Sequence, residues 1–192
     1  MPKRPPDQPF SIRGLKPVPD RLPAFEGEPV QIRFLARLSG DGKRLYSSQD
    51  RGTPVHAGTL IRKRTIVLDS ELRGRRKELS RILVHELFHF AWVRLSNRNR
   101  ASYEELVERE FVSRARGELG WSAEWRKQAL LRSAARKNGR KWRDYLCESF
   151  CDTAAWMYAG LQTHAEFTLA PTHRHRRAQW FKITYRSGGI PI

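Results

Sequence analysis

The sequence predicts an α+β fold, in which a small N-terminal sheet packs on a helical body around one buried helix. Three observations indicate this arrangement. Period-2 alternation of apolar residues is found early in the chain, helical periodicity dominates from about residue 76 onward, and the segment 80–95 is apolar on nearly every side. A chain of 192 residues is also long enough for one domain with a real core.

The first 27 residues are predicted to be a flexible, proline-rich basic arm, and residues 28–192 a single domain. Eight of the eleven prolines precede residue 30, and this segment shows no apolar periodicity. It has no apolar core of the kind that a signal peptide carries, and no uncharged stretch approaches the roughly 20 residues that span a bilayer. With two cysteines and a formal net charge of +17, we expect a soluble, cytoplasmic protein with no membrane partner.

The strands are predicted from two stretches. Alternating apolar residues from Val30 to Leu38 are typical of a half-buried strand. The segment 58–72 holds one or two more strands, whereas residues 39–52 have the composition of turns. Capping and stop signals place the helices at about 76–95, 102–116, 122–137 and 142–159, with one short helix near the C-terminus.

The predicted helix 76–95 carries the clearest chemical signal. His85 and His89 are four residues apart, so both imidazoles leave the same helix face, and Glu86 lies beside them. The other residues from Ile82 to Val93 are all apolar, and an unpaired buried carboxylate costs several kcal/mol. In the HExxH pattern, two histidines bind zinc and the glutamate acts as a base toward a zinc-bound water. The sequence therefore predicts a Zn2+ site with His85 and His89 as ligands and Glu86 as the catalytic base.

The third zinc ligand is predicted to be a carboxylate. A catalytic zinc usually has three protein ligands, and no histidine follows His89 within the next seventy residues. Glu148 lies on a predicted buried helix four residues before Asp152, which could accept the outer N–H of a ligand histidine. Glu108 follows His89 with eighteen residues between, but its charged neighbours are typical of a solvated helix face. Glu148 is the favoured ligand, because Asp152 on the same helix could orient a ligand histidine. Glu108 stays open as the alternative.

The HELFH segment in a buried helix, followed by a helix with E-x-x-x-D, resembles the gluzincin group of HExxH zinc metallopeptidases (zincins). The short single-domain layout is similar to compact ImmA/IrrE-type and minimal gluzincin peptidases. This resemblance covers residues 80–95 and 145–156, and it implies a zincin-like metallopeptidase domain that hydrolyses peptide bonds in a protein or peptide substrate. The implied site residues are His85, His89 and Glu148 as zinc ligands, Glu86 as catalytic base and Asp152 beside a ligand histidine.

Peptide hydrolysis would need two further features. The developing oxyanion requires a donor, and an extended substrate could pair with a strand at the sheet edge. The strand at 64–69, just before the HExxH helix, resembles such an edge strand. The candidates for the oxyanion donor are Tyr145, three residues before Glu148, and the tail residues His164, His173, Arg174 and His175.

Cys147 and Cys151 flank Glu148 at helical spacing. Two thiols in this position could bind metal or sense oxidation. The commoner role of such cysteines is that of small buried hydrophobes, and this is the interpretation we favour from the sequence.

Clustered basic residues define a second functional hypothesis, contact with nucleic acid through a basic surface. Here the chain would be a basic nucleic-acid- or nucleoprotein-binding protein with a structural or degenerate zinc site, or a protease associated with DNA. The sequence contains no helix-turn-helix or zinc-finger pattern in support of this alternative. The clusters are Arg73, Arg75, Arg76 and Lys77; Arg136, Lys137, Arg140, Lys141 and Arg143; and Arg174, Arg176 and Arg177, with Trp142, Trp180 and Phe181 between them.

Overall fold

A computed structural model of the chain describes residues 12–13, 22–41, 44–47, 51–132, 139–186 and 188–192. Its strands are β1 (Ile12–Arg13), β2 (Phe25–Glu26), β3 (Val30–Leu35), β4 (Leu38–Gly40), β5 (Leu45–Ser47), β6 (Thr53–Pro54), β7 (Ala57–Leu60), β8 (Thr65–Asp69) and β9 (Ile190–Pro191). Its α-helices are α1 (Arg76–Arg94), α2 (Asn97–Val112), α3 (Trp121–Arg132), α4 (Arg140–Tyr158) and α5 (Pro171–Thr184). Small sheets that precede a helical body agree with the predicted α+β class.

The main sheet has four strands in the order β1-β3-β8-β7. β1, β3 and β8 run parallel, and β7 pairs antiparallel with β8. Every residue of β8 is buried, because an interior strand that is covered on both faces needs apolar residues along its whole length. The prediction that the strand at 64–69 forms the edge is therefore wrong. Among the described strands the sheet ends at β1 and at β7, and β7 is the edge strand that packs beside α1.

The predicted strand from Val30 to Leu38 is interrupted by a turn. β3 ends at Leu35, and Arg37 has a positive φ of 52°, a conformation found mainly in turns. Leu38 then begins β4, which pairs with β5 and β6 in a three-stranded antiparallel sheet. The segment 39–52 thus contributes short strands as well as the turns expected from its composition.

Aromatic residues join α1, α4 and α5 in the core. Phe88 on α1 lies 5.8 Å from Phe150 on α4 between ring centroids, and Phe150 stacks on Phe181 of α5 at 4.8 Å. All three rings are fully buried, and such side chains contribute most of the apolar area that stabilises a core. This packing holds the face of α4 that carries Glu148 and Asp152 against α1.

A buried charged network connects α2, α3, α4 and α5 away from the HExxH residues. Arg177 is fully buried, and its guanidinium lies 2.6 Å from Glu110 Oε2 and 2.8 Å from Glu118 Oε2. Lys127 Nζ and Tyr145 Oη donate to Glu118 Oε1 at 3.1 and 2.6 Å. Burial alone would raise the pKa of Glu118, but Arg177, Lys127 and Tyr145 outweigh it, so this pKa lies below its usual value.

The helix boundaries differ from the predicted ones where caps are involved. α2 begins at Asn97, earlier than expected, because the Ser96 hydroxyl accepts the Asn99 N–H at 3.1 Å. The predicted end of the third helix falls at 133–138, outside the described residues, and the last helix is a full 14 residues long. No helix of the described part of the chain is long and apolar enough to cross a membrane.

Residues 22–26, which the sequence assigned to the N-terminal arm, belong to the packed structure. Phe25 is buried in the core, and Leu22 packs against it. β2 pairs parallel with β9 at the C-terminus, where the Ile190 N–H donates to Ala24 O at 2.8 Å. The packed part of the chain therefore begins no later than residue 22, instead of at residue 28. Residues 1–11 and 14–21 of the predicted arm lie outside the described residues.

Candidate metal centre

The HExxH residues of α1 face a cleft between β7, α3 and α4. His85 and Glu86 are buried and His89 is half-buried, and the two imidazole ring centroids lie 5.0 Å apart. The cleft has a volume of about 450 Å³. Its floor contains His85, Glu86, His89, Cys147 and Glu148, and its walls contain Val55, Ala57, Gly58, Thr59, Ile61, Val93, Trp121, Ser122, Trp125 and Arg126.

His85 is held between two carboxylates of α4. Its Nδ1 lies 2.7 Å from Asp152 Oδ1, and its Nε2 lies 3.2 Å from Glu148 Oε2. The predicted contact between Asp152 and a histidine is therefore present. A carboxylate at Nδ1 accepts the proton of that nitrogen and leaves Nε2 as the metal-binding atom. Two ligands that bind one tetrahedral zinc at about 2.0–2.1 Å lie roughly 3.3 Å apart, so His85 Nε2 and Glu148 Oε2 have a suitable separation.

Electrostatics couple these groups strongly. Burial alone would lower the pKa of His85, but Asp152 and Glu148 raise it well above its usual value. Burial alone would likewise raise the pKa of Glu148, but His85, His89 and Arg126 lower it to about 2. A metal that binds His85 therefore has to displace a proton that two carboxylates stabilise.

His89 contacts the two thiols of α4. Its Nδ1 lies 3.4 Å from Cys147 Sγ and 3.5 Å from Cys151 Sγ. Burial alone would lower the pKa of His89, but Cys147, Glu148 and Glu86 raise it to about 9. The hydrogen bond from Cys151 and the nearby His89 lower the pKa of Cys147 to about 6, although burial opposes them. Cys151 is fully buried in the core and Cys147 packs against the core, as expected of small buried hydrophobes. Both thiols also contact His89, so they adjoin the polar site as well.

His85, His89 and Cys151 form a group that could hold a metal ion, because one ligand atom of each lies within 4.8 Å of the others. Cys151 takes the place that the sequence gave to Glu148 in this group. Cys151 is fully buried and lies outside the cleft lining, whereas Glu148 lines the cleft. Two candidate third ligands are therefore present on consecutive turns of α4.

Glu86 is held by a residue that the sequence did not indicate. The Thr59 hydroxyl of β7 donates to Glu86 Oε2 at 2.6 Å. Since β7 is the edge strand, this hydrogen bond ties the predicted base to the wall of the cleft. A threonine in a β-prone segment gives no signal of this role, because the contact depends on how β7 packs beside α1.

The N-terminus of α3 is fixed by carboxylates from outside the helix. Asp152 Oδ2 accepts the Ala123 N–H at 3.0 Å, and Glu166 Oε2 accepts the Trp121 N–H at 2.7 Å. A Cβ atom at Gly120 would clash with the Asp152 carboxylate, so the chain can approach Asp152 this closely only with glycine there. Asp152 therefore links His85 to the helix that forms the outer wall of the cleft.

Several predicted site residues lie elsewhere. Glu108 is half-buried on α2 and does not line the cleft. The proposed oxyanion donors are engaged in other contacts or exposed: Tyr145 donates to Glu118, His164 lies 2.6 Å from Glu78, His173 lies 3.7 Å from Glu110, Arg174 donates to Leu169 O and Phe167 O, and His175 is exposed. The cationic side chain that lines the cleft besides the histidines is Arg126, whose Nη2 lies 3.2 Å from Glu148 Oε1.

Comparisons of the chain with models of known protein families, with curated proteins and with solved structures found no match. The resemblance to gluzincins therefore stays a prediction. It depends on HExxH, on E-x-x-x-D and on the contacts that bring the two motifs together.

Proposed function

We propose that the protein is a zinc-dependent metallopeptidase with a zincin-like fold, in which Glu86 is the general base. One observation carries the proposal: His85 lies between Asp152 and Glu148 in a cleft that also contains Glu86 and His89. A bound zinc ion would supply a Lewis acid and an activated water. Hydrolysis needs metal ligands and, beside them in an open cleft, a carboxylate that is not itself a ligand, whereas a structural zinc site is closed by four protein ligands.

His85, His89 and Glu148 are the proposed ligands. The argument for Glu148 over Cys151 is access, because a catalytic metal keeps one position open to substrate and Glu148 lines the cleft. Its second oxygen pairs with Arg126, which would keep the carboxylate ionised and oriented. The argument for Cys151 is that its Sγ lies 3.5 Å from His89 Nδ1, near the roughly 3.6 Å expected for nitrogen and sulfur ligands of one tetrahedral zinc.

Glu86 would act through its carboxylate in the cleft. It would accept a proton from the attacking water and pass that proton to the amine that leaves. Thr59 would hold the carboxylate in the orientation needed for both proton transfers, since the Thr59 hydroxyl donates a hydrogen bond to Glu86 Oε2. Arg126 is the cleft residue best placed by charge to stabilise a developing oxyanion.

The edge strand would bind an extended peptide. The Asp69 N–H donates to His56 O at 2.8 Å, which makes these residues a hydrogen-bonded pair of the antiparallel ladder. Pairing alternates along such a ladder, so the N–H and C=O groups of Ala57 and Thr59 point away from β8. No strand of the described residues pairs with this edge, and an added peptide strand could use these groups.

The proposal is tested by metal content and cleavage of a broad peptide library. We expect about one zinc per chain, and we expect Glu86→Gln to keep the zinc while cleavage falls by about 10²–10⁴-fold. Glu105→Gln, an exposed glutamate on α2, is the matched control and should cleave like the wild type. Equal cleavage by the Glu86→Gln variant, or protein without zinc, would refute the peptidase proposal.

Zinc retention distinguishes the proposed third ligands. Glu148→Ala should lose zinc during dialysis against a weak chelator, whereas Cys151→Ala should keep it. Glu108→Ala is the control for removal of a carboxylate outside the cleft and should keep zinc as well. Loss of zinc from Cys151→Ala but not from Glu148→Ala would assign the ligand to the thiol.

Exposed basic residues at two helix starts support nucleic-acid binding as a second candidate function. Arg75, Arg76 and Lys77 are exposed at the start of α1, and Arg140 and Lys141 at the start of α4. Cations at a helix N-terminus oppose the helix dipole, so a polyanion bound there would relieve repulsion.

Arg73, Arg143 and Arg176 are exposed as well, whereas other predicted elements of this surface give less support. Arg136 and Lys137 lie outside the described residues, while Arg177, Trp142 and Phe181 are buried. Binding to generic duplex DNA should weaken steeply as salt rises if the basic residues carry it. The absence of binding at low salt would remove this candidate.

A further inference from the structure

Two tryptophans on α3 are exposed at the wall of the candidate active site. Trp121 and Trp125 are 64% and 52% exposed, and their ring centroids lie 6.2 Å apart with the ring planes inclined by 13°. Both line the cleft that contains the HExxH residues, as does the half-exposed Val93. Large apolar side chains that remain together in solvent beside a cleft are typical of a binding surface.

Polar contacts hold the part of α3 from which the two tryptophans project. Glu166 accepts the Trp121 N–H, and Asp152 accepts the amide two residues later. The Arg126 guanidinium lies 5.4 Å from the Trp125 ring centroid and also pairs with Glu148. The start of α3, which carries both tryptophans, is therefore held close to the proposed metal ligands, and Arg126 connects the Trp125 ring with Glu148.

The opposite wall indicates the chemical class of the occupant. β7 presents the outward main-chain groups of Ala57 and Thr59, which suit an extended peptide backbone. These outward groups match the alternating donors and acceptors of a peptide backbone, and a peptide strand paired to them would carry its side chains past the indoles. A peptide is therefore favoured over a nucleobase stacked on the indoles.

We propose that Trp121 and Trp125 determine specificity by binding an aromatic or large aliphatic side chain of an extended peptide, close to the bond that is cleaved. This inference rests on the proposed peptidase function and names its substrate class. Transfer of a phenylalanine-sized side chain from water to an apolar wall corresponds to a preference of about 10–100-fold over alanine.

The test uses peptides that are identical except at one position near the scissile bond, which is Phe, Leu, Ala or Asp. For the wild type we expect kcat/KM to be about 10–100-fold higher for the Phe and Leu peptides than for the Ala and Asp peptides. The Trp121→Ala/Trp125→Ala variant should lose most of this preference. Leu131→Ala removes an equally exposed residue of the same helix outside the cleft and should keep it.

A binding measurement separates failure of this inference from failure of the peptidase proposal. The same peptides are labelled with a fluorophore, and their binding is followed by fluorescence anisotropy. Two proteins are compared, Glu86→Gln alone and Glu86→Gln combined with Trp121→Ala/Trp125→Ala. Tighter binding of the Phe peptide that the wall substitutions abolish supports the inference even if no peptide is cleaved. The inference would be overturned by cleavage without side-chain preference or by equal binding of all peptides. Displacement of the Phe peptide by a single-stranded oligonucleotide at physiological salt would overturn it as well. Thermal melting and a Trp121→Leu/Trp125→Leu variant, which should retain part of the preference, check that the wall substitutions leave the protein folded.

Discussion

Replacing Asp152 by Asn keeps the shape of the side chain but changes what it can offer to its two partners. The amide oxygen of Asn can still accept the Ala123 N–H, as Asp152 Oδ2 does at 3.0 Å. Its NH2 group must then face His85 Nδ1, which lies 2.7 Å from the present Oδ1. An NH2 donor favours the tautomer of His85 with the proton on Nε2. That nitrogen is the proposed zinc-binding atom, so the substitution should oppose metal binding.

The magnitude follows from the contacts that are lost. Changes to the partner of a ligand histidine cost about 10–100-fold in metal affinity, and Asp152→Asn should fall in this range. In metal-free protein, loss of the charged hydrogen bond to His85 should lower the free energy of unfolding by about 1.5–3 kcal/mol. Asp152→Ala should lower the free energy of unfolding by about 0.5–2 kcal/mol more than Asp152→Asn, because it also removes the acceptor of the Ala123 N–H at the start of α3.

Two assays measure these effects separately. Competition with a chromophoric chelator gives the zinc affinity, and urea unfolding of the metal-free proteins gives the stability. Glu105→Gln, at an exposed position, controls for the removal of a negative charge. Wild-type zinc affinity in Asp152→Asn would refute the assignment of Asp152 as the residue that orients a ligand histidine.

Three further substitutions have effects that follow from single contacts. Thr59→Val should lower kcat by about tenfold or more with zinc content unchanged, because Glu86 loses the hydroxyl that lies 2.6 Å from its carboxylate. Glu118→Gln should lower the free energy of unfolding at neutral pH by about 3–5 kcal/mol, because it weakens the pairing of the buried Arg177. The pKa of Glu118 is lowered in the folded protein, so its ionised carboxylate adds to the free energy of unfolding above the ordinary pKa near 4.5, and this stabilisation disappears as the pH falls through the folded pKa. The stability difference between Glu118→Gln and the wild type should therefore narrow in acid. Phe150→Ala should cost about 3–5 kcal/mol in unfolding experiments, because it removes a fully buried ring from the core.

Each of these predictions has a control in the same chain. Thr59→Ser keeps the hydroxyl and should restore most of kcat, so equal loss in both variants would contradict the positioning role. A gap between wild type and Glu118→Gln that stays constant from neutral to acid pH would contradict the ion-pair account. Ile183→Ala, at an exposed position of α5, should change stability by less than about 0.5 kcal/mol. A similar small effect for Phe150→Ala would contradict its place in the core.

The parts of the fold that the sequence predicted are those set by local periodicity. The HExxH helix, its burial and the i, i+4 relation of His85 and His89 follow from the 3.6-residue period. The contact between Asp152 and a histidine was also predictable, because two carboxylates on one buried helix face need polar partners.

The remaining features depend on tertiary packing. β8 is an interior strand because β7, a short strand that contains Gly58, pairs with it on the side away from β3. Thr59 and Arg126 enter the cleft from elements that carry no motif, and the capping of α3 comes from Asp152, 31 positions beyond the first residue of α3. Such contacts join residues far apart in the chain, so spacing alone could not indicate them.

Anomalous diffraction from zinc-soaked crystals, measured on both sides of the zinc absorption edge, tests the central claim most directly. The account predicts one strong peak in the cleft, bonded to His85 Nε2, to a nitrogen of His89 and to Glu148, with an open side toward Glu86. No peak at the HExxH helix, or a metal closed off by Cys147 and Cys151 without Glu148, would contradict it.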